Sequence, residues 1–309
     1  MNSKHKLTGL IAAPHTPMTQ SGEVNLDRIE QQAELLANEG VAGVFIGGTT
    51  GECHSLSVDE RLRLAERWSE VIDGSSLKLV VHVGCQSLVD SRELAKQAAN
   101  LEKVVAIGSM APSFFKPPRA TEVAAWIADV ASFAPDCPFY YYDIPGMTGL
   151  QLPMVEILQR SKDSIPSFAG LKLSNPDMPV LVECLAFAEG GLDVLFGCDE
   201  AFLFGYAAGV KGAVGSSYNI AAPLYLKIMD SFDLGDHRSA RQAQTTSVAM
   251  VRLLASHGYL PASKYVMTLK GVDCGPVRLP LRNLDESAKR AIAEGMEKLG
   301  LIKSGVAVH

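Results

Sequence analysis

The sequence predicts an α/β protein with a (β/α)₈ TIM barrel and a C-terminal helical extension. Short apolar runs alternate eight times with longer segments of helical spacing, which is the order expected of a parallel sheet. The composition stays even along this alternation, and beyond about Pro223 the pattern is helical throughout. We therefore expect a barrel domain at residues 1–223 and a helical extension at residues 224–309. An open doubly wound sheet is the alternative, but the chain lacks the early G-x-G-x-x-G turn typical of dinucleotide-binding sheets.

The predicted strands are rich in Val, Ile, Phe and Tyr and are bounded by Gly, Pro, Asn or Asp. Capping residues mark the helices between them: Ser57 and Glu60 have capping-box spacing, and Ser87 with Asp90 begins another helix. The predicted strands are residues 9–14, 43–48, 78–84, 104–110, 139–144, 168–174, 194–197 and 212–216.

The bulk composition is that of a globular protein with a large core. Of the 309 residues, 47% are hydrophobic and 20% are charged, and the net charge of −6 gives no reason to expect nucleic acid or a membrane as a partner. No apolar run approaches the roughly 18 residues that a membrane span requires. The polar N-terminus is unlike a signal peptide, and six scattered cysteines without a C-x-x-C pair indicate reduced thiols. We expect a cytoplasmic protein.

The sixth predicted strand carries a lysine among apolar neighbours. Ala169, Leu171 and Leu173 form an apolar face suited to packing against helices, so Lys172, on the opposite face, should point into the barrel. Burial disfavours the ammonium form and lowers the pKa of a lysine, which leaves a neutral amine able to form an imine with a ketone. The alternative is a lysine that extends to solvent or pairs with a carboxylate.

The fifth predicted strand brings a tyrosine towards the same chamber. Strands five and six are neighbours in a barrel, and Tyr140, Tyr142 and Ile144 share one face of strand five. A phenol at Tyr142 could therefore shuttle protons to a carbon–carbon bond that breaks next to an imine on Lys172. The alternative is that the tyrosines are present only as good strand formers.

The loop after the second predicted strand, residues 47–52, reads Gly-Gly-Thr-Thr-Gly-Glu. Glycines at these positions let successive backbone N–H groups converge on an anion, and a carboxylate suits the loop better than a phosphate. The loop does not match the P-loop pattern, because it has no lysine.

Together these motifs resemble those of the pyruvate-dependent class I aldolases, the family that includes N-acetylneuraminate lyase and dihydrodipicolinate synthase. The resemblance covers essentially the whole chain and follows the family's order of motifs. It implies that Lys172 forms a Schiff base with the keto carbon of pyruvate and that Tyr142 transfers protons. It also implies that Thr49 and Thr50 hold the pyruvate carboxylate, with the Thr50 hydroxyl touching the tyrosine. This imine chemistry needs neither a metal nor another cofactor, in keeping with the lack of metal-ligand spacing.

Three further blocks are similar to those of the sialic acid lyases in this family. They are residues 82–85, a G-x-D-E motif after the seventh strand and a G-S-x-Y-N motif after the eighth. The resemblance implies that polar groups at these points bind the hydroxyls of a sugar. For Asp199 and Glu200, capping of a helix N-terminus is the alternative. The implied sugar-binding residues are Ser174, Asp199, Glu200 and Ser216, with Gly197 contributing its backbone.

Three positions depart from the family's pattern. Met147 stands where dihydrodipicolinate synthases carry an arginine for a second carboxylate, so synthase activity is disfavoured. Phe114 stands where the family places a tyrosine donated across a subunit interface, and a phenylalanine cannot relay a proton. Cys198 replaces a tyrosine that is common in the lyases. The last two changes are compatible with an altered sugar substrate.

The function that the resemblance implies is a carbon–carbon lyase reaction on a small sugar acid. We expect reversible cleavage of N-acetylneuraminate to pyruvate and N-acetylmannosamine. The alternatives are an aldolase for another 2-keto-3-deoxy sugar acid, a dihydrodipicolinate synthase, and a family member that binds a keto acid without turnover. The resemblance also implies a homotetramer.

Overall fold

The computed structural model describes residues 6–189 and 191–303, and in it eight parallel strands close into a barrel. Each strand pairs with the next along the chain, and the last pairs with the first. The predicted barrel is confirmed, with each strand ending one or two residues before its predicted end. The strands are β1 (Gly9–Ala12), β2 (Gly43–Ile46), β3 (Lys78–His82), β4 (Val104–Ser109), β5 (Phe139–Asp143), β6 (Phe168–Leu173), β7 (Asp193–Phe196) and β8 (Gly212–Gly215).

Helices follow the strands and surround the barrel. Ser57 begins one of them with a complete capping box, in which its hydroxyl accepts from the Glu60 amide and the Glu60 carboxylate accepts from the Ser57 amide. Ser87 begins the next by accepting from the Asp90 amide at 3.3 Å, so both predicted caps are confirmed. The helices are α1 (Ile29–Asn38), α2 (Val58–Val71), α3 (Leu88–Asn100), α4 (Ala120–Ala131), α5 (Pro145–Thr148), α6 (Met154–Ser164), α7 (Met178–Ala188), α8 (Phe202–Ala207), α9 (Tyr218–Asp233), α10 (His237–Ser256), α11 (Tyr259–Leu269) and α12 (Glu286–Lys298).

The alternation of side chains along the strands divides the buried residues into two layers. Leu171 and Leu173 on β6 belong to the large apolar core that includes the helices around the sheet. A smaller layer fills the interior of the barrel and includes Ile11, Phe45 and Tyr140. An ionisable side chain that faces inward is therefore surrounded by apolar and aromatic groups.

A β-bulge breaks this alternation at the start of β6. The pairing of β5 with β6 shifts register between Phe139 and Tyr140, which leaves Ala169 as an extra residue in β6. Ala169 packs against the interior layer, so the prediction that it belongs to the outer face is wrong. Beyond the bulge the pairing is regular, and Tyr142 stands opposite Lys172.

The C-terminal helices are joined to the barrel by contacts that the sequence pattern does not show. Helix α9 spans residue 223, where we expected the extension to begin, and its first turns contain Pro223 and the non-helical Ala221. A buried ion pair between Lys264 on α11 and Glu52 after β2, with 2.7 Å between nitrogen and oxygen, connects the extension to the barrel. No described helix combines the length and apolar character needed to cross a membrane.

Candidate active site

A cavity of about 770 Å³ opens at the carboxyl ends of the strands, which is where (β/α)₈ barrels place their reacting groups. Every site residue predicted from the sequence lies in its wall. Within residues 6–189 and 191–303, no group of three or more His, Cys, Asp or Glu side chains is placed to hold a metal ion. The predicted residues that line the cavity are Thr49, Thr50, Tyr142, Lys172, Ser174, Gly197, Asp199, Glu200 and Ser216.

Lys172 projects from β6 into the floor of this cavity. Its Nζ lies 3.8 Å from the ring centroid of Tyr142 and 4.3 Å from that of Phe45. The residue is only 4% exposed, and none of the described carboxylates contacts its Nζ, so neither the solvent-exposed nor the ion-paired alternative holds. Burial lowers the pKa of Lys172 to about 7, although the charge of Asp199 acts in the opposite direction. A large share of the amine is therefore neutral near pH 7.

Tyr142 stands beside this amine as a neutral phenol. Burial raises the pKa of Tyr142, and hydrogen bonds with Thr49 and Ser174 offset only part of the rise. The Thr49 hydroxyl lies 3.3 Å from the phenol oxygen. The rings of Phe45 and His82 pack edge-on against Tyr142, with centroids 5.6 Å and 5.8 Å away, and hold its orientation.

The contact between the loop and the tyrosine belongs to Thr49, and the expectation that Thr50 provides it is wrong. Thr49 and Thr50 both line the cavity. Thr50 makes no hydrogen bond with Tyr142 among the described residues. Thr49 is therefore the loop residue within hydrogen-bonding reach of the phenol.

The loop itself is a tight, fixed turn. Gly47 adopts a φ of 62°, a left-handed conformation that suits glycine, and a side chain on Gly51 would lie 3.2 Å from the Gly47 nitrogen. The Gly47 carbonyl accepts a hydrogen bond from His82 Nδ1 at 2.8 Å, and the Gly51 carbonyl accepts one from the Thr16 hydroxyl at 2.7 Å. Residues 47–51 are therefore held in place before any ligand binds.

The wall formed after β7 contains a buried carboxyl group. Asp199 Oδ2 accepts a hydrogen bond from the Ser217 amide at 2.8 Å, so this residue binds the loop after β8 and does not cap its own helical turn. Asp199 Oδ1 has no hydrogen-bond partner among the described residues. Burial raises the pKa of Asp199. A side chain at position 215 would lie 1.9 Å from Asp199 Oδ1, so Gly215 is needed for the carboxyl group to fit.

One wall residue could not be found by sequence reasoning. Tyr259, at the start of α11, lines the cavity, and its hydroxyl lies 2.9 Å from the hydroxyls of both Ser216 and Ser217. It comes from the extension, about 40 residues beyond the serines. No local motif predicts such a contact, because only the packing of α11 on the barrel creates it.

Comparison with known proteins identifies the family. A sequence model of the Dihydrodipicolinate synthetase family matches residues 6–299. The chain belongs to this family. N-acetylneuraminate lyase from Danio rerio is 40% identical over 293 residues, which cover 94% of this chain and 95% of that protein.

Solved structures of related proteins share the whole fold. Proteus mirabilis N-acetylneuraminate lyase is 39% identical with a TM-score of 0.93, and the match covers 96% of this chain and 100% of that one. A catalytic lysine mutant of Ruminococcus gnavus sialic acid aldolase is 26% identical with a TM-score of 0.88, covering 97% and 100%. These matches include the barrel and most of the C-terminal extension.

The three departures from the family's pattern occupy different surroundings. Phe114 is 80% exposed and packs edge-on against Phe115 with centroids 5.0 Å apart, while Ser113 lines the cavity. Met147 is 66% exposed and forms part of the cavity rim. Cys198 is buried in the apolar core outside the barrel, so it is not placed to alter the choice of sugar.

Proposed function

We propose that this protein is a class I aldolase that cleaves N-acetylneuraminate reversibly to pyruvate and N-acetylmannosamine through a Schiff base on Lys172. The observation that carries the proposal is the buried Lys172 amine with its lowered pKa, which faces the cavity at 3.8 Å from the Tyr142 ring. Relatives named N-acetylneuraminate lyase, at about 40% identity over most of the chain, support the choice of substrate. The Ruminococcus gnavus sialic acid aldolase, which has a catalytic lysine, supports the chemistry.

The reaction follows from the properties of an imine. The Lys172 amine adds to the keto carbon of the open-chain sugar acid, and loss of water forms a protonated imine. The imine withdraws electrons from the bond between the carbons that are α and β to the imine carbon. This bond breaks when the hydroxyl on the β carbon loses its proton. The new aldehyde leaves as N-acetylmannosamine, and an enamine remains. Protonation of the enamine and hydrolysis of the imine release pyruvate and restore the amine.

Tyr142 and Thr49 supply a path for the protons in these steps. Because the pKa of Tyr142 is raised, its phenol stays protonated and can pass one proton on while it receives another. The Thr49 hydroxyl, at 3.3 Å, is the adjacent group in this path. Thr49 and Thr50, in the fixed turn of residues 47–51, would hold the keto-acid carboxylate in line with the amine.

The polar wall formed after β6, β7 and β8 suits the sugar. Asp199 Oδ1 is buried and unpartnered among the described residues, so a sugar hydroxyl would satisfy it. Glu200, Ser174 and Ser216 also line the cavity and offer further acceptors, and a side chain at position 197 would collide with the Ser174 hydroxyl at 2.2 Å. Met147 provides no charge for a second carboxylate, which argues against synthase activity.

We also propose a cytoplasmic homotetramer. The family resemblance supports the tetramer, and the exposed Phe114 and Phe115 give it apolar surface to bury. All six cysteines are unpaired thiols, as expected in a reducing compartment. Sedimentation at several protein concentrations would measure the assembly.

Borohydride reduction in the presence of pyruvate tests the chemistry. We expect a single stable adduct on Lys172, detected by intact mass and located by peptide mapping. Lys264 is the internal control, since it is buried but paired with Glu52 at 2.7 Å. The Lys172→Met variant should give no adduct and no turnover. Absence of an adduct on Lys172 in the unmodified protein would refute the proposal, and pyruvate release from a panel of sugar acids would then identify the preferred substrate.

A further inference from the structure

Arg61, on helix α2, is buried directly behind the turn that carries Thr49 and Thr50. The residue is 4% exposed. Its guanidinium donates to the Gly84 carbonyl at 3.0 Å and to the His82 carbonyl at 2.6 Å, and it contacts Cys85 Sγ at 2.9 Å. A side chain built on Gly47 would lie 4.0 Å from Arg61 Nε, so the guanidinium rests against the first residue of the turn.

His82 connects Arg61 to the turn. Because the Gly47 carbonyl can only accept, the 2.8 Å contact requires His82 Nδ1 to carry the proton. Burial and the charge of Arg61 lower the pKa of His82 far below its usual value, so the ring is neutral. The neutral ring therefore donates to the turn and accepts no bond at Nδ1 from Arg61. The arginine holds the frame of the turn through the carbonyls of His82 and Gly84.

Arg61 forms no ion pair with any described carboxylate. Across the described part of the chain, every group that contacts the guanidinium is neutral, and Nε has no partner. Lys264, another buried cation near the loop, is paired with Glu52. A buried charge without a partner is unfavourable, so an unpaired guanidinium beside an anion-binding turn calls for an anion.

We infer that Arg61 is a positioning residue whose fixed positive charge acts through the Gly47–Thr50 backbone to favour a carboxylate at Thr49 and Thr50. The inference rests on the proposed function, since it takes the 2-keto acid as the ligand of this turn. Arg61 does not touch the substrate. It selects for the charge of the ligand, in addition to shaping the turn, because the interaction between charges in a low-dielectric interior extends beyond contact distance.

A pair of ketones that differ in charge separates these two effects. Pyruvate and its neutral amide, pyruvamide, can both form an imine with Lys172 that borohydride traps. The measured quantity is the concentration of each that gives half-maximal trapping. We expect the native protein to prefer pyruvate, and Arg61→Met to lose on the order of tenfold of that preference while pyruvamide trapping changes little. If Arg61→Met raises both concentrations by the same factor, the arginine is structural only and the inference is wrong.

Arg61→Lys is the matched control because it retains the charge and loses the two-pronged hydrogen bonding. It should keep most of the preference for pyruvate even if both ketones are trapped less efficiently. If Arg61→Met does not fold, Arg61→Lys decides alone: a retained preference supports the inference, and a lost preference overturns it. Failure of the native protein to trap either ketone would instead refute the proposed function.

Discussion

Each end of the barrel interior contains a buried tyrosine beside an ionisable side chain, but the surroundings of the two pairs differ. Towards the amino ends of the strands, the Tyr140 hydroxyl donates to Asp193 Oδ2 at 2.9 Å, and the Leu7 amide donates to the same oxygen at 2.7 Å. Two residues further along β5, Tyr142 lies over Lys172, which contacts no described carboxylate. The pair of Tyr140 and Asp193 is joined by hydrogen bonds within the chain. The pair of Tyr142 and Lys172 faces the cavity.

The comparison shows that a shifted pKa by itself does not mark an active site. Burial raises the pKa of Tyr140 and of Asp193 just as it raises that of Tyr142. Tyr142 lines the cavity at the carboxyl ends of the strands, and Tyr140 does not line that cavity. Shifted pKa values report burial, and the cavity decides which of the shifted groups can act on a ligand.

The paired variants Tyr142→Phe and Tyr140→Phe test this difference with the largest expected effect. Tyr142→Phe removes the proton-transferring phenol and should lower kcat by roughly 10²- to 10⁴-fold with little change in stability. Tyr140→Phe leaves Asp193 with one hydrogen bond fewer and should lower the free energy of unfolding by roughly 1–2 kcal/mol with kcat within about twofold. Steady-state kinetics and urea denaturation of both variants provide the measurements. A similar fall in kcat for the two variants would contradict the division of the barrel into a structural and a reactive end.

The pH dependence of imine formation provides a second comparison of the two ends. A protonated amine cannot attack a ketone, so trapping of pyruvate should increase as pH rises towards about 7, the pKa of Lys172, and then level off. The charge of Asp199 raises that pKa, so Asp199→Asn should move the rising limb to lower pH. Initial rates of pyruvate trapping, measured in a series of buffers, give the pH range over which the rate rises.

Asp193→Asn is the control for this experiment. Asp193 is also buried and has a raised pKa, but it lies at the closed end of the barrel and does not affect the pKa of Lys172. In this variant, the trapping rate should rise over the same pH range as in the native protein. A limb that moves equally in both variants would mean that the shift comes from general loosening of the fold.

The sequence predicts the barrel and its reactive end well because both depend on local patterns. Strand positions follow from apolar runs, and the direction of Lys172 follows from alternation over a few residues of β6. The bulge at Ala169 escapes prediction because it arises from the register with β5, which no single strand encodes. The contact of Thr49 with Tyr142 is wrongly expected of Thr50 for a related reason: it depends on the backbone course of the turn, in which Gly47 has a φ of 62°.

The C-terminal wall of the cavity could not be predicted because it depends on long-range packing. Tyr259 reaches Ser216 and Ser217 only when α11 lies on the barrel, and the buried pair of Lys264 and Glu52 is part of that packing. Helical periodicity locates such a helix along the chain, but it does not specify which strand end the helix will cover.

Tyr259→Phe tests the contribution of this wall, with the smallest expected effect. The change removes a hydroxyl that lies 2.9 Å from both serines and keeps the ring, so Ser216 becomes free to rotate away from a sugar hydroxyl. We expect KM for the sugar acid to rise by roughly threefold to tenfold, the change that corresponds to the free energy of one neutral hydrogen bond. Pyruvate trapping on Lys172 should be unchanged. Trapping should be unaffected because the Tyr259 hydroxyl bonds with Ser216 and Ser217 after β8 and makes no described hydrogen bond with residues 47–51. A variant in which pyruvate trapping falls together with the affinity for the sugar acid would show that Tyr259 supports the whole cavity, and the separation of the site into a keto-acid end and a sugar end would have to be abandoned.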